Sequence, residues 1–373
     1  MTTLRGLTWK HDRGVAPLLA TAKEFGLHNP DVQIEWEART LHEFGDVSVA
    51  SIAGRYDFIV IDHPFMGDVA RDGYLLALDE FIHEADLQRL ASESVGASHQ
   101  SYFYDDHQWA LAIDAASQVS GYRADLLPTP PATWDEVFEL ARTRSGFVTP
   151  ALLPLDSMMC FFTLCANTGR PCCASDAGPL VDRPTGEMAL DRLRALAATA
   201  ATDALQSNPI AIWERMSATD DIAYCPLAFG YSNYARRNYR QHLLSYANIP
   251  GTRGATLGGA GLAITKHCAD PAIAVEYALW VASADCQKTT YVQSGGQPGN
   301  RRAWADAEAN SITNGYFRAI LATLEAAYVR PRFPNFIDFQ TAAGHAVHAF
   351  LRGEKTAKTA LDEMDRLWAQ SRR

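Results

Sequence analysis

The chain lacks a basic face, a bilayer-length apolar run and any pair of CxxC units, and each absence narrows its role. Lys+Arg number 33 against 43 Asp+Glu, a formal net charge of −10. With no Lys- or Arg-rich stripe, this balance argues against nucleic acid and anionic membrane as main partners. The longest nearly apolar run, Ser157 to Ala166, is about half of the ~20 residues a bilayer span needs, so no membrane insertion is expected. Seven cysteines cannot all pair: Cys160, Cys165, Cys172, Cys173, Cys225, Cys268 and Cys286 read mainly as free thiols packed as small hydrophobes. A bond between neighbours Cys172 and Cys173 would be strained. Signatures of the Ser-His-Asp, HExxH and Walker types are missing, so neither metal nor cofactor is expected. No apolar signal segment follows Met1, because Lys10-His11-Asp12-Arg13 comes too soon. The expectation is a periplasmic protein if a leader precedes this stretch, and a cytoplasmic one if Met1 is the native start.

What is present describes a folded α/β protein. Its 373 residues, 47% hydrophobic and only 20% charged, suit two domains or one large one. Leu4–Trp9 reads as a strand and Val15–Phe25 as a helix with Leu18, Leu19, Ala22 and Phe25 on one face. Val32, Ile34 and Trp36 alternate as in a half-buried strand, and Leu41–Ala53 reads as a helix. The continuous run Asp57-Phe58-Ile59-Val60-Ile61-Asp62 marks a strand covered on both faces. Such alternation predicts a mostly parallel sheet. Beyond it, Trp109–Ile113 and Ser117–Tyr122 read as two strands, and Thr133 with Glu136 as a capping box. Helices are expected over Asp156–Ala166, Gly186–Thr199, Asp338–Leu351 and Thr356–Gln370.

Several motifs in order resemble family 1 extracellular solute-binding proteins, the sugar-binding-protein-like receptors of ABC importers. They are Leu7-Thr8-Trp9, Val32-Gln33-Ile34-Glu35-Trp36, Tyr56–Asp62, Gly73-Tyr74-Leu75-Leu76-Ala77-Leu78-Asp79, Asp221–Leu227 with Phe229-Gly230-Tyr231, Gly258–Ile264 and Gly295–Arg301. The resemblance implies a periplasmic-binding-protein-like type II fold, two α/β lobes with a ligand cleft and hinge-crossing strands. One lobe would hold 1–112 plus 250–310 and the other 113–249 plus 311–373, with hinges near Ile113–Asp114 and Tyr246–Gly251. It also implies a monomer that captures a small polar solute, by default a sugar or polyol and next a small carboxylate. ABC transporter permease subunits would be its partners if it is exported.

Ligands of open parallel sheets collect beyond the carboxyl ends of the strands. Trp9, His11 and Asp12 follow the first strand, and Asp62 and His63 the third. These residues, with Asp114, are candidate ligand contacts, although Asp12 and Asp62 equally suit helix caps. Trp9, Phe229 and Tyr231 are candidate stacking surfaces, each also suited to a core. Arg301 could hold an anion at a helix start or sit in a surface ion pair. Gly259 allows either close approach to a ligand or a plain tight turn. Two alternatives stay open on the same fold. One is a cytoplasmic sensor or a thiaminase-like enzyme with Cys160 as nucleophile, placed on the first turn of its helix. The other is ferric-iron binding through His11, Asp62 or His63, and Tyr231 or Tyr234.

Overall fold

Phe58, Ile59, Val60 and Ile61 are all fully buried, and a sheet is assembled on either side of them. The structure is a computed structural model that describes residues 1–46, 49–173, 178–251 and 254–372. In chain order it forms β1 (Thr2–Trp9), α1 (Asp12–His28), β2 (Val32–Arg39), α2 (Leu41–Asp46), β3 (Phe58–Ile61), α3 (Met66–Asp72), α4 (Glu84–Glu93), β4 (Phe103–Tyr104) and β5 (His107–Gln108). There follow β6 (Leu111–Tyr122), α5 (Trp134–Thr143), α6 (Pro154–Asn167), α7 (Arg183–Thr199), α8 (Pro209–Ala218), β7 (Tyr224–Phe229), β8 (Ser245–Ala247) and β9 (Leu257–Ile264). Later helices include Phe336–Leu351 and Ala357–Ser371.

Two compact units result. Unit 1 is Met1–Ala116, Gly258–Ile312 and Arg330–Phe336; unit 2 is Ser117–Leu257, Thr313–Val329 and Ile337–Arg373. In unit 1, β1 pairs in parallel with β2 (Thr2↔Val32 to Trp9↔Arg39) and with β3 (Gly6↔Phe58). β9 closes on β3 antiparallel, Phe58 opposite Ile264. Leu18 and Phe25 of α1 pack into the core that Phe58, Leu262 and Tyr277 share, whereas Leu19, expected on the same face, is exposed because it lies one residue, about 100° around the helix, from Leu18. In unit 2, β6 pairs antiparallel with β7 and β8. The capping box of α5 is formed: Thr133 N donates to Glu136 Oε2 at 2.9 Å, and Glu136 N to Thr133 Oγ1 at 3.3 Å.

Two local expectations are corrected. The helix expected over Leu41–Ala53 stops at Asp46, and single 3-10 turns, Val49–Ser51 and Ala53–Arg55, follow. Gly45 and the β-branched Val49 weaken helix propensity here; residues 47 and 48 lie outside the described residues, as do 252 and 253 of the Pro250–Gly254 segment. The two strands expected around Asp114 are the single strand β6. Asp114 reads as a break in sequence, yet its carboxylate is paired inside the protein instead of turned to water.

The short segment Arg330–Phe336 is held in unit 1 from several sides. Arg332 donates to the carbonyls of Gln100, Ser101 and Phe103, and Asn335 N donates to Asp68 Oδ1 at 2.9 Å. Gly67 makes the close approach possible, since a Cβ there would lie 2.0 Å from the Arg332 carbonyl oxygen. Gly67→Ala is therefore expected to cost about 1–3 kcal/mol of stability by overpacking. Urea unfolding checks this, and a midpoint equal to that of the parent chain would contradict the contact.

Candidate ligand-binding site

Three parallel strands of unit 1 deliver their carboxyl ends to one edge of its sheet, and the polar residues that follow them are held by arginines. After β1 the chain turns into α1, with His11 as N-cap: its Nδ1 accepts from Arg13 N at 3.0 Å. This cap orients Arg13, only 4% exposed, whose Nε donates to Asp114 Oδ2 at 2.8 Å while Nη2 binds Oδ1. Trp9 lies against this pair, with the Arg13 guanidinium 6.0 Å from its ring centroid and Phe44 at 5.3 Å.

After β3, Asp62 accepts from its neighbour's amide, His63 N, at 2.8 Å, and from Arg330 Nη2 at 2.6 Å. Asp62 is thus both the cap of a 3-10 turn and an ion-pair partner. Burial opposes its charge, but the Arg330 guanidinium and His63 hold the carboxyl down at about 2. Asp114 goes the other way. Burial pushes its carboxyl up, Arg13 pulls it down, and the charge on Asp62 adds to the rise. The two carboxylates therefore sense each other, and each is answered by one arginine.

Two tyrosines and a histidine complete the edge. Tyr102 donates its hydroxyl to the Ile61 carbonyl at 3.3 Å, and burial followed by both carboxylates pushes its phenol up. Its ring meets His63 edge-on at 6.4 Å. His63 is fully buried; its Nδ1 is 3.1 Å from Asp62 Oδ1, and its Nε2 has no hydrogen-bond partner among the described residues. Burial, then Arg330, lowers its imidazole to about 4. Tyr291, also fully buried, has no hydrogen-bond partner for its hydroxyl among the described residues and feels the charges of Asp114 and Arg13.

The remaining sequence candidates have different surroundings. Asp12 is exposed on the first turn of α1. A Cβ at Gly259, where φ is 117°, would lie 2.4 Å from the Asp114 carbonyl oxygen, so this glycine serves the approach of β9 to β6. Arg301 donates through Nε to the Ser94 carbonyl at 2.9 Å, just beyond α4. Phe229 and Tyr231 belong to unit 2: the Phe229 carbonyl accepts from Trp213 Nε1 at 2.9 Å, and Tyr231 is buried against the ring of Tyr234.

Sequence reasoning passed over Arg13 and Arg330. The first was visible as the arginine closing the cluster after β1. The second, in Tyr328-Val329-Arg330-Pro331-Arg332, carries only the weak signal of an arginine beside a proline, outside a helix. Cys160 is corrected in position. Its helix begins at Pro154, so it lies past the first turn, fully buried, where Gln118 Nε2 donates to its sulfur at 3.4 Å and burial pushes the thiol up. Tyr234, weighed as an iron ligand, donates to Glu214 Oε1 at 2.8 Å.

The fold is α/β in two units, each assembled from separate stretches of chain, with charge-compensated polar groups beyond the parallel strands of unit 1. The chain belongs to the bacterial extracellular solute-binding protein family, whose sequence profile matches residues 20–313. It is 30% identical over 120 residues to the maltotriose-binding protein of Pyrococcus abyssi, a match that spans 32% of this chain and 25% of that protein. Among solved structures it is similar to T. maritima MalE3 with bound maltose (18% identity, 98% of both chains, TM-score 0.83). It is similar also to a solute-binding protein of Thermotoga lettingae TMO bound with alpha-D-tagatose (17% identity, 100% of both chains, TM-score 0.85). A third, from Agrobacterium radiobacter K84 in complex with ribitol, has 19% identity over 99% of this chain and 98% of that one, with a TM-score of 0.79. At these identities the likeness speaks to the fold.

The buried histidines set a pH dependence. Folded His63 and His99 titrate at about 4, below the ordinary 6.5, because burial penalises the cation. Between those values the unfolded chain binds protons that the folded one refuses, so stability falls as pH drops through this window. His63→Gln is expected to remove roughly half of that slope in urea unfolding across the window. An unchanged slope would show that His63 is not held neutral by the fold.

Proposed function

We propose that this protein reversibly captures a small neutral polar solute, a sugar or polyol, for delivery to the permease subunits of an ABC importer. In this reading it is exported, works as a monomer and makes or breaks no bond; hinge closure over the solute is the motion implied by the sequence resemblance. The observation that carries the choice of ligand class is the pairing of Asp62 with Arg330 and of Asp114 with Arg13. Each carboxylate already has its counter-charge, so the edge offers directed hydrogen-bond acceptors and donors without a net field that would demand an ion. A hydroxyl-rich ligand satisfies such groups, and a ligand that leaves one of them buried and unmatched loses affinity. The relatives described with maltose, tagatose and ribitol support the same class. Catalysis through Cys160 is not part of the proposal: a reactive cysteine needs a thiolate within reach of substrate, and this thiol is buried with its ionisation suppressed.

Titration calorimetry and thermal unfolding against maltose, tagatose, ribitol, mannitol and small carboxylates test the reading. A neutral sugar or polyol is expected to bind, adding about 3 kcal/mol of stability at a hundredfold excess over Kd. Asp114→Asn, which keeps the shape and loses the charge, is expected to weaken that binding at least tenfold, a cost of about 1.4 kcal/mol or more. Binding of carboxylates alone, or full affinity in Asp114→Asn, would reject the proposal.

A further inference from the structure

The outermost parallel strand of unit 1 ends on a buried cation. β2 lies at the edge of the strand order β2-β1-β3, and Arg39, its last residue, is in register with Trp9 of β1. Lys10 N donates to the Arg39 carbonyl at 2.6 Å, which fixes this backbone where β1 gives way to α1. Arg39 is only 8% exposed, and its Nε and Nη1 are enclosed with no hydrogen-bond partner among the described residues. The guanidinium carbon lies 5.6 Å from the Phe44 ring centroid, and Trp9 backs Phe44 at 5.3 Å. An aromatic face attracts the cation but accepts none of its in-plane N–H groups.

The nearby acids are engaged elsewhere. Glu43 Oε2 accepts from Thr40 N at 2.7 Å and from Thr40 Oγ1 at 2.8 Å. Glu37 accepts from Arg5 Nη2 at 2.6 Å and from the Tyr56 hydroxyl at 2.8 Å. Burial lowers the Arg39 guanidinium to about 10, and the charge of Glu43 restores only part of the loss. At neutral pH the group is therefore still a cation, and a charge held out of water needs a counter-charge. The neighbouring strands meet that need with ion pairs, Arg13 with Asp114 after β1 and Arg330 with Asp62 after β3.

We propose that Arg39 is an anion site, which takes an oxyanion, a carboxylate or a phosphate, at the carboxyl end of β2. A guanidinium presents parallel N–H groups at the spacing of two oxygens on one carbon or phosphorus, so the contact is bidentate. The bound charge gives β2 the balance that the other two strands already have. The oxyanion is either free or an acidic substituent of a bound solute. The site stands on Arg39 and its surroundings in unit 1. Neutral sugars failing to bind would leave it intact, and its own failure would leave the neutral-solute reading intact.

The test is thermal unfolding and titration calorimetry of the full chain against sodium phosphate and sodium acetate, with chloride adjusted to hold the ionic strength constant. Phosphate or acetate is expected to bind saturably in the millimolar range and to raise the thermal midpoint. Arg39→Gln is expected to weaken that binding at least tenfold, and Arg39→Lys, which keeps the charge but loses the fork, by a smaller factor. In crystals of the unsubstituted chain soaked in selenate, an anomalous selenium peak is expected within hydrogen-bond distance of Arg39, which decides the site even if a variant fails to fold. Phosphate and maltose binding together without competition would identify a free anion. Glucuronate binding at least tenfold tighter than glucose, an advantage lost in Arg39→Gln, would identify an acidic solute. No saturable effect beyond chloride, equal binding in Arg39→Gln, or selenium found only away from Arg39, an adventitious ion only, would overturn the proposal.

Discussion

A carboxylate taken out of water must find its counter-charge, and in unit 1 this demand falls first on Asp114. An ion that loses its hydration costs several kcal/mol even after the protein relaxes around it, so its position is tolerable only with a well-formed partner. Arg13 supplies one through two hydrogen bonds, and it can do so because α1 starts immediately after β1 with His11 as its cap. Other parts of the unit converge on the same residue from the backbone side. Gly259 brings β9 against the Asp114 carbonyl, and Asp114 forms a bridge to Pro298. Gln297 extends the contact, donating to the Ala115 carbonyl at 2.8 Å. The helix start, the glycine of β9 and the proline turn are thus one solution to one burial problem.

Asp62 repeats the arrangement on the next parallel strand, with its arginine drawn from a remote part of the chain. Because both carboxylates are neutralised within the protein, the edge they form is polar without being charged. Recognition at such an edge depends on the direction of donors and acceptors, which discriminates by leaving mismatched groups unpaired. Tyr102, His63 and Tyr291 add donors and acceptors in the same neighbourhood without altering that balance.

Elements with a strong local pattern were legible in the sequence. β1, the alternation of β2, the buried run of β3, α1, the Thr133–Glu136 capping box and the two C-terminal helices follow from periodicity and capping chemistry, which act over a few residues. Asp62, His63 and Asp114 stood out as polar residues within or just after apolar runs. What stayed hidden depended on partners far along the chain. A continuous β6 makes sense only once Arg13 neutralises Asp114, and nothing local to Arg330 announces that it faces Asp62. Cys160 looked exposed to a helix dipole only because the start of α6 at Pro154 was placed two residues late.

The segment Arg330–Phe336 gives unit 1 an unusual schedule. Asp62 and Arg330 are separated by 268 positions, so a ribosome adding ~5–20 residues per second completes the first about 13–54 s before the second exists. For that interval the amino-terminal sheet has a carboxylate without its guanidinium and a vacancy beside Gly67 where the late segment belongs. The nascent unit is therefore held short of its final state by its own covalent order. Unit 1 can complete its contacts only after the chain has been made as far as Phe336.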